Sequence, residues 1–179
     1  LRDVYKRQVE DDVRAHFATA MAKGTTRRAD WEARMAAYAA AHPEDVATLQ
    51  RIIQGELPAG WDAALFAEEK ADATRNQCGR ALDAIAGSVV ELIGGSADLA
   101  GSTKTALKGQ SSLQATEPGG RNINYGVREH AMGAIVNGMT LHGLRPVGAT
   151  FLIFSDYCRP SLRLAGLMHC PSLFFFSHD

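Results

Sequence analysis

The stretch Asn122 to Gly143, NINYGVREHAMGAIVNGMTLHG, decides the fold. Apolar Ile123 and Tyr125 precede Gly126, charged Arg128, Glu129 and His130 come next, and Ala131, Met132, Ile135, Val136 and Met139 then recur at helical spacing. The pattern predicts a strand, a tight turn and a buried helix. In such a unit Glu129 falls in the first helical turn beside the carboxyl end of a strand, where open α/β sheets bind ligands. The small residues Ala131, Gly133, Ala134, Asn137 and Gly138 leave room for another backbone or a ring to come close. A carboxyl at the head of that helix is expected to be sheltered from water. The same position also suits a Glu that merely favours the positive end of the helix dipole, with Arg128 and His130 as solvated neighbours.

A chain of 179 residues, 46% hydrophobic and 22% charged, has an ordinary globular composition and room for one full domain and part of another. Its formal net charge of −1 removes the general electrostatic case for nucleic acid or an anionic membrane, leaving small molecules or protein as partners. Cys78, Cys158 and Cys170 have neither paired nor metal-ligand spacing and are expected to be reduced core thiols, which points to a cytoplasmic location. No apolar run approaches the ~18 residues a membrane helix needs. The first eight residues, LRDVYKRQ, lack the apolar centre of a signal peptide, fit poorly with the helical pattern that begins at Val9 and are expected to be non-native. The chain opens without Met and stops just after the strand-like LFFF, so a fragment is expected.

Residues 1–70 read as a helical connector. Val13, Phe17 and Met21 sit at helical spacing, with Gly24 as an expected C-cap; a second helix carries Trp31, Met35 and Tyr38; a third starts at Pro43 with Glu44 and Asp45 in its first turn. Trp61 to Phe66 is expected to be a short helix. His16 and His42 stand alone and carry no chemical spacing.

Residues 71–179 read as an α/β unit, a parallel sheet flanked by helices that lacks its last strands. Thr74 is expected to cap a helix ending at Gly87, after which VVELIGGSADL forms a buried strand emptying into a glycine-containing loop. Asp98 then lies at the strand's carboxyl end. Gly94 and Gly95 are expected to let a ligand approach the backbone, and Gly101, Ser102 and Thr103 offer small groups suited to an oxyanion. RPVGATF is a second strand, IFSDYCRPSLRLAGLMH a helix with Pro160 at a kink or in its first turn, and SLFFF a fully buried strand delivering His178 to the sheet edge. Phe151, Phe154 and Tyr157 are spaced three apart, as in a core stripe.

YGVREHAMGAIVNGMTLHG, GGSADLAGSTKT and TFLIFSDYCRPSLRLA resemble the pyrimidine-domain motifs of the transketolase family. The resemblance covers roughly Ala71 to Asp179. It implies a thiamine diphosphate enzyme of the pentose phosphate pathway that transfers a two-carbon ketol unit from a ketose phosphate to an aldose phosphate. Glu129 matches the acid that holds a proton at the cofactor's ring nitrogen, and burial disfavours the ionised form of such a carboxyl. Asp98 matches an acid beside the thiazolium, and Phe151, Phe154 and Tyr157 match aromatics around the aminopyrimidine, where flat rings stack favourably. Arg75, Ser102 and His178 match groups that bind the sugar phosphate; a guanidinium fork can bond two phosphate oxygens at once. Thr103 stands where Asn is usual in the family, and Ser177 where Thr is usual.

The family's GDG metal and diphosphate motif does not occur in the chain. The resemblance therefore places Mg²⁺ or Ca²⁺ on a missing diphosphate domain, makes the full enzyme a homodimer and leads us to expect this fragment alone to be inactive. Dihydroxyacetone synthase shares these motifs, and a non-catalytic α/β interaction module would share the fold.

Overall fold

The computed structural model describes residues 9–65 and 71–178. The chain divides into two units, Leu1–Leu49 and Gln50–Asp179. The first is helical. Helix α1, Asp11–Ala41, runs straight through Gly24, so the expected C-cap is an interior residue and the two expected helices are one. A glycine costs a helix about 1 kcal/mol relative to alanine, and nothing before His42 and Pro43 supplies a stop. Helix α2, Pro43–Ile53, begins at the proline with Glu44 and Asp45 in its first turn. Trp61 to Leu65 form turns rather than a helix, and Phe66 lies outside the described residues, as do LRDVYKRQ and Asp179.

In the second unit, helix α3, Thr74–Ala86, precedes strand β1, Leu92–Ser96, which leads through the short helix α4, Ala100–Thr103, to strand β2, Asn122–Asn124. Helix α5, Glu129–Leu141, strand β3, Arg145–Phe151, a 3-10 turn at Leu152–Phe154, helix α6, Ser155–Leu167, and strand β4, Leu173–Ser177, complete it. The four strands are parallel and ordered β2-β1-β3-β4. Because β1 feeds β2 on one side while β3 pairs on the other, the connections part at the carboxyl end of β1, the place in an open sheet where a crevice forms.

β1 and β3 are covered on both faces, as their composition requires, whereas β4, expected to be fully buried, is only half-buried with Leu173 exposed, because it is an edge strand with a neighbour on one side. On one face Leu82, Ala86, Val89, Leu92, Leu107 and Val147 form a core that Leu57, Trp61 and Phe175 extend. On the other, Met132, Val136, Tyr125, Ala97 and Cys158 pack with Phe174 and Phe176. The run of phenylalanines thus splits by the two-residue period of a strand, Phe175 to one face and its neighbours to the other. Met132 and Val136 are fully buried, each worth roughly 1.5–3 kcal/mol.

Several local expectations are corrected. Thr74 is the first helical residue of α3 and its cap position is Ala73, while the Asp72 carboxylate accepts from the Ala73 N–H at 2.7 Å and the Asn76 amide at 2.8 Å. Gly94 and Gly95 lie inside β1, where a Cβ would strike the backbones of β3 and β2, so they serve strand packing rather than ligand approach. Pro160 sits inside α6 beyond its first turn. Of the three free cysteines only Cys158 is fully buried; Cys78 and Cys170 are intermediate.

Candidate functional site

The Ser96 side chain fixes the loop after β1. Its Oγ donates to the Ala149 carbonyl at 2.9 Å and accepts from the Leu99 N–H at 3.1 Å, so the loop is tied to β3. Asp98 takes a left-handed conformation, φ 62°, which Asp tolerates better than most residues, and this turns the chain outward at the strand end. After β2 the chain reverses at Gly126, φ 69°, with Arg128 N–H bonding the Gly126 carbonyl at 2.8 Å. That turn starts α5 at Glu129. After β3, the 3-10 turn swings Phe154 and Tyr157 back over the same edge.

These three strand ends border an open cavity of about 470 Å³ lined by Ala97, Asp98, Leu99, Val127, Glu129, Phe154 and Tyr157, with Val127 and Tyr157 largely exposed at its mouth. Glu129 is 8% exposed. Cys158 Sγ approaches its backbone carbonyl at 3.4 Å, and among the described residues no side chain donates to its carboxylate. Asp98 likewise has no ion-pair partner among the described residues. Glu129, buried without a protein cation, with the exposed Asp98 at the rim, suits a ligand that brings its own positive charge or proton. The Cys158 thiol is pushed up to about 11 by burial and by the Glu129 charge, so it stays protonated. Burial also holds the Tyr125 hydroxyl above its ordinary range.

The aromatic residues form a continuous row. Phe154 stacks on Phe151 and on Tyr157, each at 6.1 Å between ring centres, and Phe151 meets the His178 ring at 4.8 Å. Arg75, in the first turn of α3, contacts the same His178, with Nη1 3.1 Å from Nδ1. Arg75 Nε is buried without a hydrogen-bond partner. The edge therefore brings together Glu129, Asp98, Phe154 and Tyr157 around the cavity, and Arg75, His178 and Phe151 beside it. Ser102 lies exposed on α4, its N–H bonded to the Leu99 carbonyl, with no side-chain link to Arg75. Thr103 faces inward, 2% exposed, its hydroxyl bonded to the Leu99 carbonyl at 3.0 Å and close to Thr105. Asp179, which follows His178, is outside the described residues. Ala97, Leu99 and Val127 were not singled out from the sequence; they are apolar wall residues without a chemical signature.

A parallel α/β sheet with such a cavity at its carboxyl edge defines a ligand-binding domain of the open-sheet class. The family described as "Transketolase, pyrimidine binding domain" matches residues 70–179, and "Transketolase, thiamine diphosphate binding domain" matches residues 3–58. The chain belongs to the transketolase family. It is 49% identical over 175 residues to a transketolase of Geobacillus stearothermophilus, covering 96% of this chain and 26% of that protein. With chloroplastic transketolase-1 of Arabidopsis thaliana it shares 45% over 177 residues, 96% of this chain and 24% of the relative. The structure superposes on transketolase from Leishmania mexicana with a TM-score of 0.91 at 38% identity, covering 96% of this chain and 26% of that one. A transketolase of Pichia stipitis in complex with sedoheptulose-7-phosphate gives 0.88 at 39%, covering 96% and 27%. The chain thus spans about a quarter of the length of these relatives.

Proposed function

We propose that the chain joins the end of a diphosphate-binding domain, with its connector, over residues 1–70 to a pyrimidine-binding domain over residues 71–179. The whole protein, on this reading, transfers a two-carbon ketol unit from a ketose phosphate to an aldose phosphate in the pentose phosphate pathway. The observation that carries it is Glu129, buried at the head of α5 in a cavity shared with Phe154 and Tyr157.

The residues present fit thiamine diphosphate: flat rings for a flat heterocycle, and acids lacking protein cations for a ring that carries charge and a proton. When bound, the cofactor supplies the carbon nucleophile that carries the ketol unit. Glu129 holds a proton at the ring nitrogen, and its burial keeps water from competing for that proton. Phe154 and Tyr157, with Phe151 behind Phe154, would hold the flat ring by stacking, and Asp98 would hold the thiazolium part of the cofactor. Arg75, His178 and Ser102 bind the sugar phosphate, with the unpartnered Arg75 Nε as a spare donor. In the same reading Mg²⁺ or Ca²⁺ is bound by the part of the protein that this chain does not span; among the described residues no group of three His, Cys, Asp or Glu is placed to hold a metal. A homodimer completes the site in our reading. Among the described residues no helix is long and apolar enough to cross a membrane, and three free thiols favour a reducing, cytoplasmic setting.

The test is Glu129→Gln in the full-length protein. Loss of a positioned proton-holding group is expected to lower kcat about a hundredfold or more with the fold intact. Turnover like that of the wild type would overturn the reading, and an inactive wild-type protein would leave a binding module instead.

A further inference from the structure

Glu129, Gly133 and Asn137 lie four residues apart and form one stripe along α5. All three are buried, and the stripe faces Cys158 and Ser161 of α6, which are themselves buried. Cys158 Sγ reaches the Glu129 carbonyl at 3.4 Å. One turn along, a Cβ on Gly133 would collide with the Ser161 side chain, so the two helices touch almost backbone to side chain. A further turn along, Asn137 Nδ2 donates to the Ser161 carbonyl at 2.8 Å, and Asn137 Oδ1 accepts from the Ser172 hydroxyl at 3.0 Å.

Asn137 is 4% exposed. Burying an amide is costly unless it is hydrogen-bonded, and a leucine of similar volume would fill the same space without that demand. What the amide adds is direction. Apolar surfaces tolerate a slide along the helix axis, whereas bonds to Ser161 and Ser172 hold only at one register. That register has a chemical consequence. The head of α5 carries Glu129, the head of α6 carries Phe154 and Tyr157, and all three line one cavity. We propose that Asn137 is a positioning residue: by locking α5 to α6 and to Ser172 before β4, it sets the separation of the Glu129 carboxyl from the Phe154 and Tyr157 rings. The inference rests on the proton-holding role of Glu129 and extends it to a residue about 12 Å farther along the helix.

A merely structural role would lower stability and add independently to any loss at Glu129, because sites more than ~7–10 Å apart without shared partners behave additively. A positioning role acts through Glu129 and cannot add to its removal. The experiment is a double-mutant cycle in the full-length protein, pairing Asn137→Leu with Glu129→Gln. Intrinsic fluorescence titration with thiamine diphosphate at saturating Mg²⁺ reads the cofactor Kd. Asn137→Leu alone is expected to weaken binding about tenfold, and in the Glu129→Gln background by less than about twofold. Ser172→Ala, which removes the bond to Oδ1 together with the contact between the Ser172 and Thr140 hydroxyls at 3.0 Å, repeats the cycle with a smaller effect of about threefold and serves if Asn137→Leu does not fold. An effect of the same size in both backgrounds, or a lowered melting temperature with unchanged cofactor affinity, would overturn the proposal. If Glu129→Gln alone leaves affinity and turnover at wild-type values, it is the reading of Glu129 that fails, and that failure is visible in the single variant before the cycle is closed.

Discussion

Arg75 and His178 stand 103 residues apart in the chain and in contact at the carboxyl edge of the sheet, Arg75 Nη1 lying 3.1 Å from His178 Nδ1. One comes from the first turn of α3 and the other from just beyond β4. The Phe151 ring packs against the histidine at 4.8 Å, and Arg75 Nε is left buried without a partner. The pair presents donors fixed in direction beside an apolar cavity, as recognition of a phosphate oxygen requires. Lysine keeps the charge but not the fork. Arg75→Lys in the full-length protein is therefore expected to raise KM for a ketose phosphate about tenfold, a loss of ~1.4 kcal/mol. Steady-state kinetics with the matching unphosphorylated ketose is the control. An equal rise in KM for both sugars would remove phosphate recognition from Arg75.

The features legible in the chain were those that depend on near neighbours. RPVGATF spans β3 from end to end, α2 starts at Pro43, and Gly126 followed by Glu129 places the acid at the head of a buried helix. Periodicity carries that information because helix and strand burial repeat every few residues. Gly24 misled because a lone glycine weakens a helix less than a fresh nucleation costs. Thr74 misled because Asp72, two residues earlier, satisfies the helix start through Ala73 and Asn76. The contacts of Arg75 with His178 and of Arg51 with Glu91 were beyond reach, since both join segments that only the sheet topology brings together. Within the site, the acid and the rings were legible through the resemblance of their motifs, whereas the apolar walls at Ala97, Leu99 and Val127 had no such mark.

Two glycines of the same helix are expected to respond in opposite directions to alanine. At Gly133 a Cβ would lie 2.8 Å from Ser161 Cβ and closer still to its hydroxyl, so α5 and α6 must part. Overpacking of this kind costs about 1–3 kcal/mol. At Gly138 nothing lies within 4 Å of an added Cβ, and the substitution should stabilise by about 0.5–1 kcal/mol through helix propensity alone. Thermal unfolding of the full-length Gly133→Ala and Gly138→Ala proteins checks this. A Gly133→Ala protein as stable as the wild type would mean that the helices are not closely packed at Ser161.

Acid sensitivity should centre on Glu91. Arg51 donates through Nη1 and Nη2 to its two carboxylate oxygens at 2.7 and 2.9 Å, and Arg145 Nε lies 3.5 Å away. The Glu91 side chain is 1% exposed and that of Arg51 18%. Burial pushes the Glu91 pKa up, but the hydrogen bonds from Arg51 and the charges of Arg51 and Arg145 more than offset it, so the carboxyl titrates below its ordinary value of 4.5. A group whose folded pKa is depressed contributes its full stabilisation above the unfolded pKa and loses it as the pH falls through the folded one. Glu91→Gln keeps the shape and removes the charge, leaving Arg51 without its counter-ion. Breaking a buried pair in this way costs roughly 3–5 kcal/mol, and the partial exposure of Arg51 places the expected loss at the low end of that range. Unfolding of wild type and variant is to be compared from pH 7 downward. The stability gap is expected to hold steady to about pH 5 and to narrow below about pH 4.5 as the wild-type carboxylate takes up its proton. If the gap remained at full size at about pH 2, protonation of Glu91 would not be what weakens the fold in acid.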